Sequence, residues 1–164
     1  HVVAGADAVQ VVAGDTTISA RVVLFDPRRD VAVLYAPGLT AAPLAFSSVD
    51  ADTGADAIVV GYPEDGPFDV RAARIRDHET LYGRDIYDAV NVGRDVYAVR
   101  ALVRSGNSGG PLIGPDGRVL GMVFAAALDE PDTGFALSLA EIRAAGIDAA
   151  ATASAPVGTG QCAP

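Results

Sequence analysis

Tryptophan is absent from this sequence, and cysteine and methionine occur once each, with two histidines, among 164 residues. Aromatic residues are only 6% of the chain although half of it is apolar, so a core must be built from Val, Ala, Leu and Ile. Long apolar runs are also missing. The longest, such as AVLYA and AIVVGY, fall far short of the ~20 residues that cross a bilayer. Basic residues are scarce: 12 Lys and Arg face 21 Asp and Glu, with a net charge of −9. Such a surface repels phosphate backbones, which argues against nucleic-acid binding. One cysteine and two distant histidines give no zinc-type ligand spacing, and no Gly-rich loop is built to cradle a phosphate. No metal or cofactor is therefore expected. The chain opens with His1 and carries no signal-peptide pattern, so its N-terminus gives no address.

What is present is alternation. Residues 8–13 (AVQVVA), Gly14-Asp15 and 16–26 (TTISARVVLFD) predict a hairpin, and 30–36 (DVAVLYA) predicts a third strand after Pro27. A Pro- and Ala-rich connector follows, with the short apolar piece 44–46 inside it. Five more strands are expected at 56–62, 68–77, 95–103, 117–127 and 133–137, separated by Pro and Gly turns. One helix is expected at 138–146, with Ser138 and Glu141 as a capping box and Gly146 as its stop. The tail after it should lie extended on the surface. This pattern predicts an all-β sandwich or barrel pair, divided into residues 1–54 and 55–164.

The sharpest chemical signal is Gly106-Asn107-Ser108-Gly109-Gly110-Pro111. A serine hydroxyl is a poor nucleophile unless a base takes its proton and donors stabilise the resulting oxyanion. Glycines on both sides permit a tight turn that aims the amides of Gly106 and Ser108 at one spot, so Gly106, Asn107 and Ser108 are expected to form an oxyanion hole. A base must be His1 or His78. His78 lies in a charged stretch and reads as a surface histidine near a turn. Asp30 opens an apolar strand, which places its carboxylate at the strand mouth, where it can fix a histidine's tautomer; Asp26, followed by Pro27, reads as a turn residue. The expected catalytic set is His1, Asp30 and Ser108, a known chain order for such a triad.

HVVAG, the DVAVL strand, GNSGGPL, RVLGMVF and TGFAL together resemble the chymotrypsin-fold (trypsin-like) serine proteases, nearest the bacterial HtrA-type branch. Segments at 20–23, 26–34, 54–63, 73–76, 85–87, 94–97 and 156–162 resemble more narrowly the actinobacterial membrane-anchored acid-resistance proteases. The resemblance implies an all-β, chymotrypsin-like double β-barrel with one short helix towards the C-terminus. It also implies a serine endopeptidase acting on proteins or peptides through an acyl-enzyme, with no cofactor. The enzyme would be periplasmic, tethered by an N-terminal anchor absent from this chain, and used under stress. The family's histidine follows three strands of the first barrel, so the missing strands should come from an N-terminal segment outside this chain. That segment would also carry a disulfide partner for Cys162, a thiol that otherwise reads as idle. Asn107 stands where activatable relatives carry Asp, so no new-N-terminus switch is expected.

The implied substrate pocket involves Leu102, Val103, Phe124, Ala125, Ala126 and Phe135. Leu102 at its base, in place of an acid, argues against Arg or Lys preference and towards an apolar residue. Phe124 and Phe135 read as pocket walls or, more simply, as core. Asp129, Glu130 and Asp132 read as a solvated turn rather than a substrate-steering loop. The alternative to an enzyme is an inactive peptidase fold that binds peptides or a partner protein.

Overall fold

A computed structural model describes all 164 residues, which form two compact units. The first comprises 1–43, 82–92 and 143–164; the second comprises 44–81 and 93–142.

In the first unit, β1 (Val9–Ala13), β2 (Thr16–Asp26) and β3 (Val31–Tyr35) form an antiparallel sheet in that order. The β1–β2 register pairs Val9 with Ala20 and Ala13 with Thr16 across the Gly14-Asp15 turn. Between β2 and β3 the register slips at Val22–Leu24. One extra residue there reverses the alternation, which lets the neighbours Val22 and Val23 both be buried. The tail is tied to this sheet: Val157 N–H donates to Val22 O at 2.9 Å. Gly5 N–H donates to Thr159 O at 3.0 Å, and the Thr159 hydroxyl donates to Ala6 O at 3.1 Å.

β4 (Asp56–Gly61), β5 (Asp69–Arg84), β6 (Asn91–Arg100), β7 (Pro111–Ile113), β8 (Val119–Ala126) and β9 (Thr133–Ser138) make a closed barrel, ordered β4-β5-β6-β9-β8-β7, that accounts for most of the second unit; the end of β5 and the start of β6 fall in the first. The barrel core follows the two-residue period: Ala57 and Val59, Ala73 and Ile75, and Tyr97, Val99, Ala101 and Val103 all point inward, with Leu112, Leu120, Val123 and Ala136. The lack of Trp is met by close packing of small β-branched chains around one buried ring, that of Tyr97.

Two elements differ from the sequence expectation. β5 runs on to Arg84 and β6 starts at Asn91, although no strand is expected between 78 and 94. Between them the Asp85 carboxylate accepts from Ala89 N at 2.8 Å and Tyr87 N at 3.3 Å, and Asp85 N donates to Val90 O. These amide bonds, led by Ala89, hold the Asp85 carboxyl below the ordinary carboxylate range. The single expected helix is two short ones, α1 (Leu139–Ala144) and α2 (Ile147–Ala150), divided at Gly146, whose φ is +96°. The capping pair is redirected. Ser138 Oγ accepts from Glu141 N at 3.1 Å, while the Glu141 carboxylate accepts from Asp95 N, 46 residues away. The connector keeps its expected irregular form, and its apolar piece 44–46 contributes one isolated bridge, Phe46 to Val119.

Candidate active site

Asp26 and Asp30 separate cleanly by local chemistry. Asp26 closes the β2–β3 turn: its Oδ1 accepts from Arg28 N at 2.9 Å and Arg29 N at 3.0 Å. Asp30 sits at the turn's end with φ +63°, a left-handed backbone that Asp tolerates better than most residues. That conformation leaves its carboxylate only 7% exposed, where it accepts from the His1 backbone nitrogen through Oδ1 and meets His1 Nδ1 at 2.6 Å through Oδ2. A carboxylate that accepts here places a hydrogen on Nδ1, which in the neutral imidazole leaves the lone pair on Nε2. The Nδ1 contact orients the ring of His1.

Ser108 is half-buried in the loop joining β6 to β7. Reciprocal bonds brace this loop: Arg104 N donates to Asn107 Oδ1 at 2.9 Å, and Asn107 N donates to Arg104 O at 3.0 Å. Gly109 N donates to Val123 O at 2.8 Å and Gly110 N to Asn107 O at 2.9 Å. Asn107 is almost wholly buried, so a neutral amide here does structural work that a carboxylate could not do without desolvation. The glycines are required by crowding. A Cβ on Gly106, at φ +91°, would strike the Tyr62 carbonyl oxygen, and one on Gly110 would strike Val60 O. Ser105 O accepts from Glu64 N at 2.8 Å. The carbonyl and amide of one trans peptide point oppositely, so this bond turns Gly106 N–H away from the Tyr62–Glu64 segment.

The other expected residues divide. Leu102 is 38% exposed, whereas Val103 lies in the barrel core with a methyl against Gly134. Phe124 sits where the β8–β9 register shifts, half-buried, with the Arg94 guanidinium 5.8 Å from its ring centre. Ala125 pairs with Phe135 and Ala126 with Gly134. Cys162 is exposed on the tail, packed beside Gly5.

His78 is not near a turn. It is in the middle of β5, its Nε2 2.5 Å from Asp95 Oδ1 and its ring 4.5 Å from Tyr97. The acidic stretch 129–132 is the exposed turn expected, and two of its carboxylates are tied to arginines. Arg76 Nη1 donates to Glu130 at 2.5 Å and to Thr133 Oγ1 at 2.6 Å, Thr133 Oγ1 donates to Glu130 at 2.9 Å, and Arg100 pairs with Asp132 at 3.3 Å. Hydrogen bonding from Arg76, then from Thr133, holds the Glu130 carboxyl below its usual range. Composition around 129–132 shows only the acids; the arginines that meet them lie on distant strands.

A six-stranded closed barrel, a separate three-stranded sheet and two short helices are the architecture of a chymotrypsin-like protease. The Trypsin-like peptidase domain family matches residues 1–122, and the chain belongs to that family. It is 52% identical, over 163 residues, to the serine proteases MT3772 and Rv3671c of two Mycobacterium tuberculosis strains; the match covers 99% of this chain and 41% of each relative. The chain thus spans about two-fifths of the length of those relatives. The crystal structure of Rv3671c protease from M. tuberculosis in its active form superposes with a TM-score of 0.96 and 49% identity, covering 100% of this chain and 72% of that one. HtrA-type protease AlgW with a decapeptide matches at 0.73 and 25% identity, covering 93% of this chain and 46% of that one.

Proposed function

We propose that this chain is most of the catalytic domain of a serine endopeptidase, with Ser108 as nucleophile, His1 as general base and Asp30 as orienting acid. The observation that carries the reading is the His1–Asp30 pair, with Nδ1 held at 2.6 Å by a nearly buried carboxylate. A histidine held so has its Nε2 lone pair ready to take a proton, and the imidazolium that forms is stabilised by Asp30. In the reaction, the Ser108 Oγ–H proton passes to His1 Nε2 as Oγ bonds to the scissile carbonyl carbon. The amides of Gly106 and Ser108 stabilise the oxyanion, while Asn107 serves through its side chain, its own amide being committed to Arg104 O. Collapse expels the amine, which takes the proton from His1 and leaves an acyl-Ser108; water, activated by the same base, releases the acid.

Peptide and protein substrates are supported by the family and by the peptide-bound AlgW relative. Leu102 and the small chains Ala125 and Ala126 favour an apolar residue before the scissile bond. A disulfide from Cys162 to a cysteine beyond this chain, and a tethered, extracytoplasmic enzyme serving under acid stress, rest on the likeness to the mycobacterial protease. The test is covalent labelling with a fluorophosphonate. Peptide mapping should place the adduct on Ser108, and Ser108→Ala should abolish labelling and lower turnover by ~10⁶. A folded protein that takes no label would refute the enzyme reading in favour of a peptide-binding domain.

A further inference from the structure

The loop that follows His1 is held by the far end of the chain. Within the first unit, residues 1–6 make two tight turns, with Ala4 N donating to His1 O and Ala6 N to Val3 O, both at 3.2 Å. Such turns set the shape of the loop but not where it lies. Thr159, 153 residues on from Ala6, does that: its carbonyl accepts from Gly5 N at 3.0 Å, and its hydroxyl donates to Ala6 O at 3.1 Å. A second donor shares the carbonyl. The Tyr87 hydroxyl reaches Thr159 O at 3.3 Å from the β5–β6 turn, whose form the Asp85 carboxylate fixes by accepting from Tyr87 N and Ala89 N.

The fit around Thr159 leaves no slack. A Cβ on Gly160, at φ +70°, would strike the Tyr87 hydroxyl and stand 3.5 Å from the Phe25 ring, and one on Gly5, at φ +69°, would strike the backbone of Cys162. The tail is in turn registered on β2, where Val157 N donates to Val22 O at 2.9 Å. Strand β2 ends in the turn that presents Asp30. One strand therefore carries both the acid and the tail that grips the loop of the base. The imidazole meets Asp30 through Nδ1 at 2.6 Å, a contact that a small shift of the loop would break.

We infer that Thr159 is a positioning residue for His1, its hydroxyl and carbonyl clamping the Gly5–Ala6 bend so that the imidazole stays in line with Asp30. It acts through the loop, not on the substrate. The inference rests on the triad reading, and the experiment separates the two. In the intact protein, Thr159→Val keeps the side-chain shape and the carbonyl but removes the hydroxyl; Thr159→Ser keeps the hydroxyl, and Tyr87→Phe removes the second donor. Measure steady-state kinetics on a peptide substrate and the rate at which a fluorophosphonate labels Ser108, since that small reagent needs the base but no peptide subsite. A loop displaced by a fraction of an ångström should lower kcat about tenfold in Thr159→Val and about threefold in Tyr87→Phe, with labelling slowed in parallel. KM should stay within about twofold, and Thr159→Ser should lie within about twofold of wild type throughout. Tyr87→Phe answers alone if Thr159→Val does not fold. A wild type that neither cleaves nor labels overturns the triad and, with it, the positioning role. A wild type that labels, with Thr159→Val and Tyr87→Phe reacting at its rate, overturns the clamp and leaves the triad standing. A loss in Thr159→Val that appears only in KM or in urea stability, or one that Thr159→Ser shares in full, also overturns the clamp.

Discussion

Replacing Gly106 by alanine is the most discriminating single perturbation of the nucleophile loop. The residue has φ +91°, where an added Cβ costs about 1–2 kcal/mol by itself. That Cβ would also meet the Tyr62 carbonyl oxygen, with Glu64 N at 3.1 Å and Pro63 Cα at 3.2 Å behind it. Backbone on all sides gives no soft side chain to move, so the loop must retreat by roughly 0.5–1 Å, a displacement that can cost ~10² in rate. The Ser105 carbonyl then loses its hold on Glu64 N, and the Gly106 amide loses its aim. Losing one oxyanion donor costs about 10²–10³ in kcat, against a stability loss of only about 1–3 kcal/mol. Steady-state kinetics on a peptide substrate should therefore show kcat down at least a hundredfold with KM little changed, while urea melts show a folded protein. A folded variant with kcat within threefold of wild type would refute the assignment of Gly106 N–H as an oxyanion donor.

Two further perturbations address other groups. Asp30→Asn should lower kcat by about 10⁴ with near-normal stability, because Asn also tolerates φ +63° but its amide no longer selects the Nδ1–H tautomer; near-normal kcat would remove Asp30 from the mechanism. Tyr97 is pushed up to about 12, chiefly by burial, while its hydroxyl donates to Asp50 at 3.1 Å. A folded value above the unfolded value of about 10 means that its stabilisation, up to about 2–3 kcal/mol, is complete below pH 10 and is lost as pH rises towards 12. Absorbance at 295 nm should show one phenol titrating near pH 12 that vanishes in Tyr97→Phe, and urea melts should show wild type losing its advantage over that variant across the same range; a Tyr97 ionising near pH 10 would contradict both.

Much of the fold was legible because its information is local. The alternation of 16–26, 56–62 and 117–127 marks strands whose odd and even residues face different ways, and Pro27, Gly66-Pro67 and Gly117 mark turns. What escaped is set by distant partners. The strand expected at 68–77 stops short because the charged residues around His78 hide the alternation, whereas β5 and the Asp85 turn carry the strand on to Arg84. Val22 and Val23 violate alternation because a bulge, invisible in composition, intervenes. Glu141 lies at the spacing of a capping box, yet its carboxylate reaches the Asp95 amide on another strand.

The candidate site divides along the same line. Gly106, Gly110 and Asn107 were legible because the turn itself asks for them: Gly106 has φ +91° and Asn107 closes a bond three residues back, although the backbone atoms that crowd Gly106 and Gly110 most closely belong to Tyr62 and Val60 on a distant segment. Asp30 was separable from Asp26 for the same reason, since Pro27 commits the first acid to the turn and leaves the second at the strand mouth. Arg76, Thr133 and the Tyr62–Phe68 pair had no such mark. Arg76 meets Glu130 across 54 residues, and the rings of Tyr62 and Phe68, with centres 5.6 Å apart, are neighbours only because β4 and β5 pair in one register. A one-residue slip of β5 along β4 would turn Ile75 outward and Phe68 inward, away from Tyr62. The buried face of the barrel therefore fixes the register, and the register in turn holds the aromatic pair beside Ser108. Substitutions that weaken the core at Val59 should loosen the pair before they disturb the nucleophile loop, which is independently braced by Asn107.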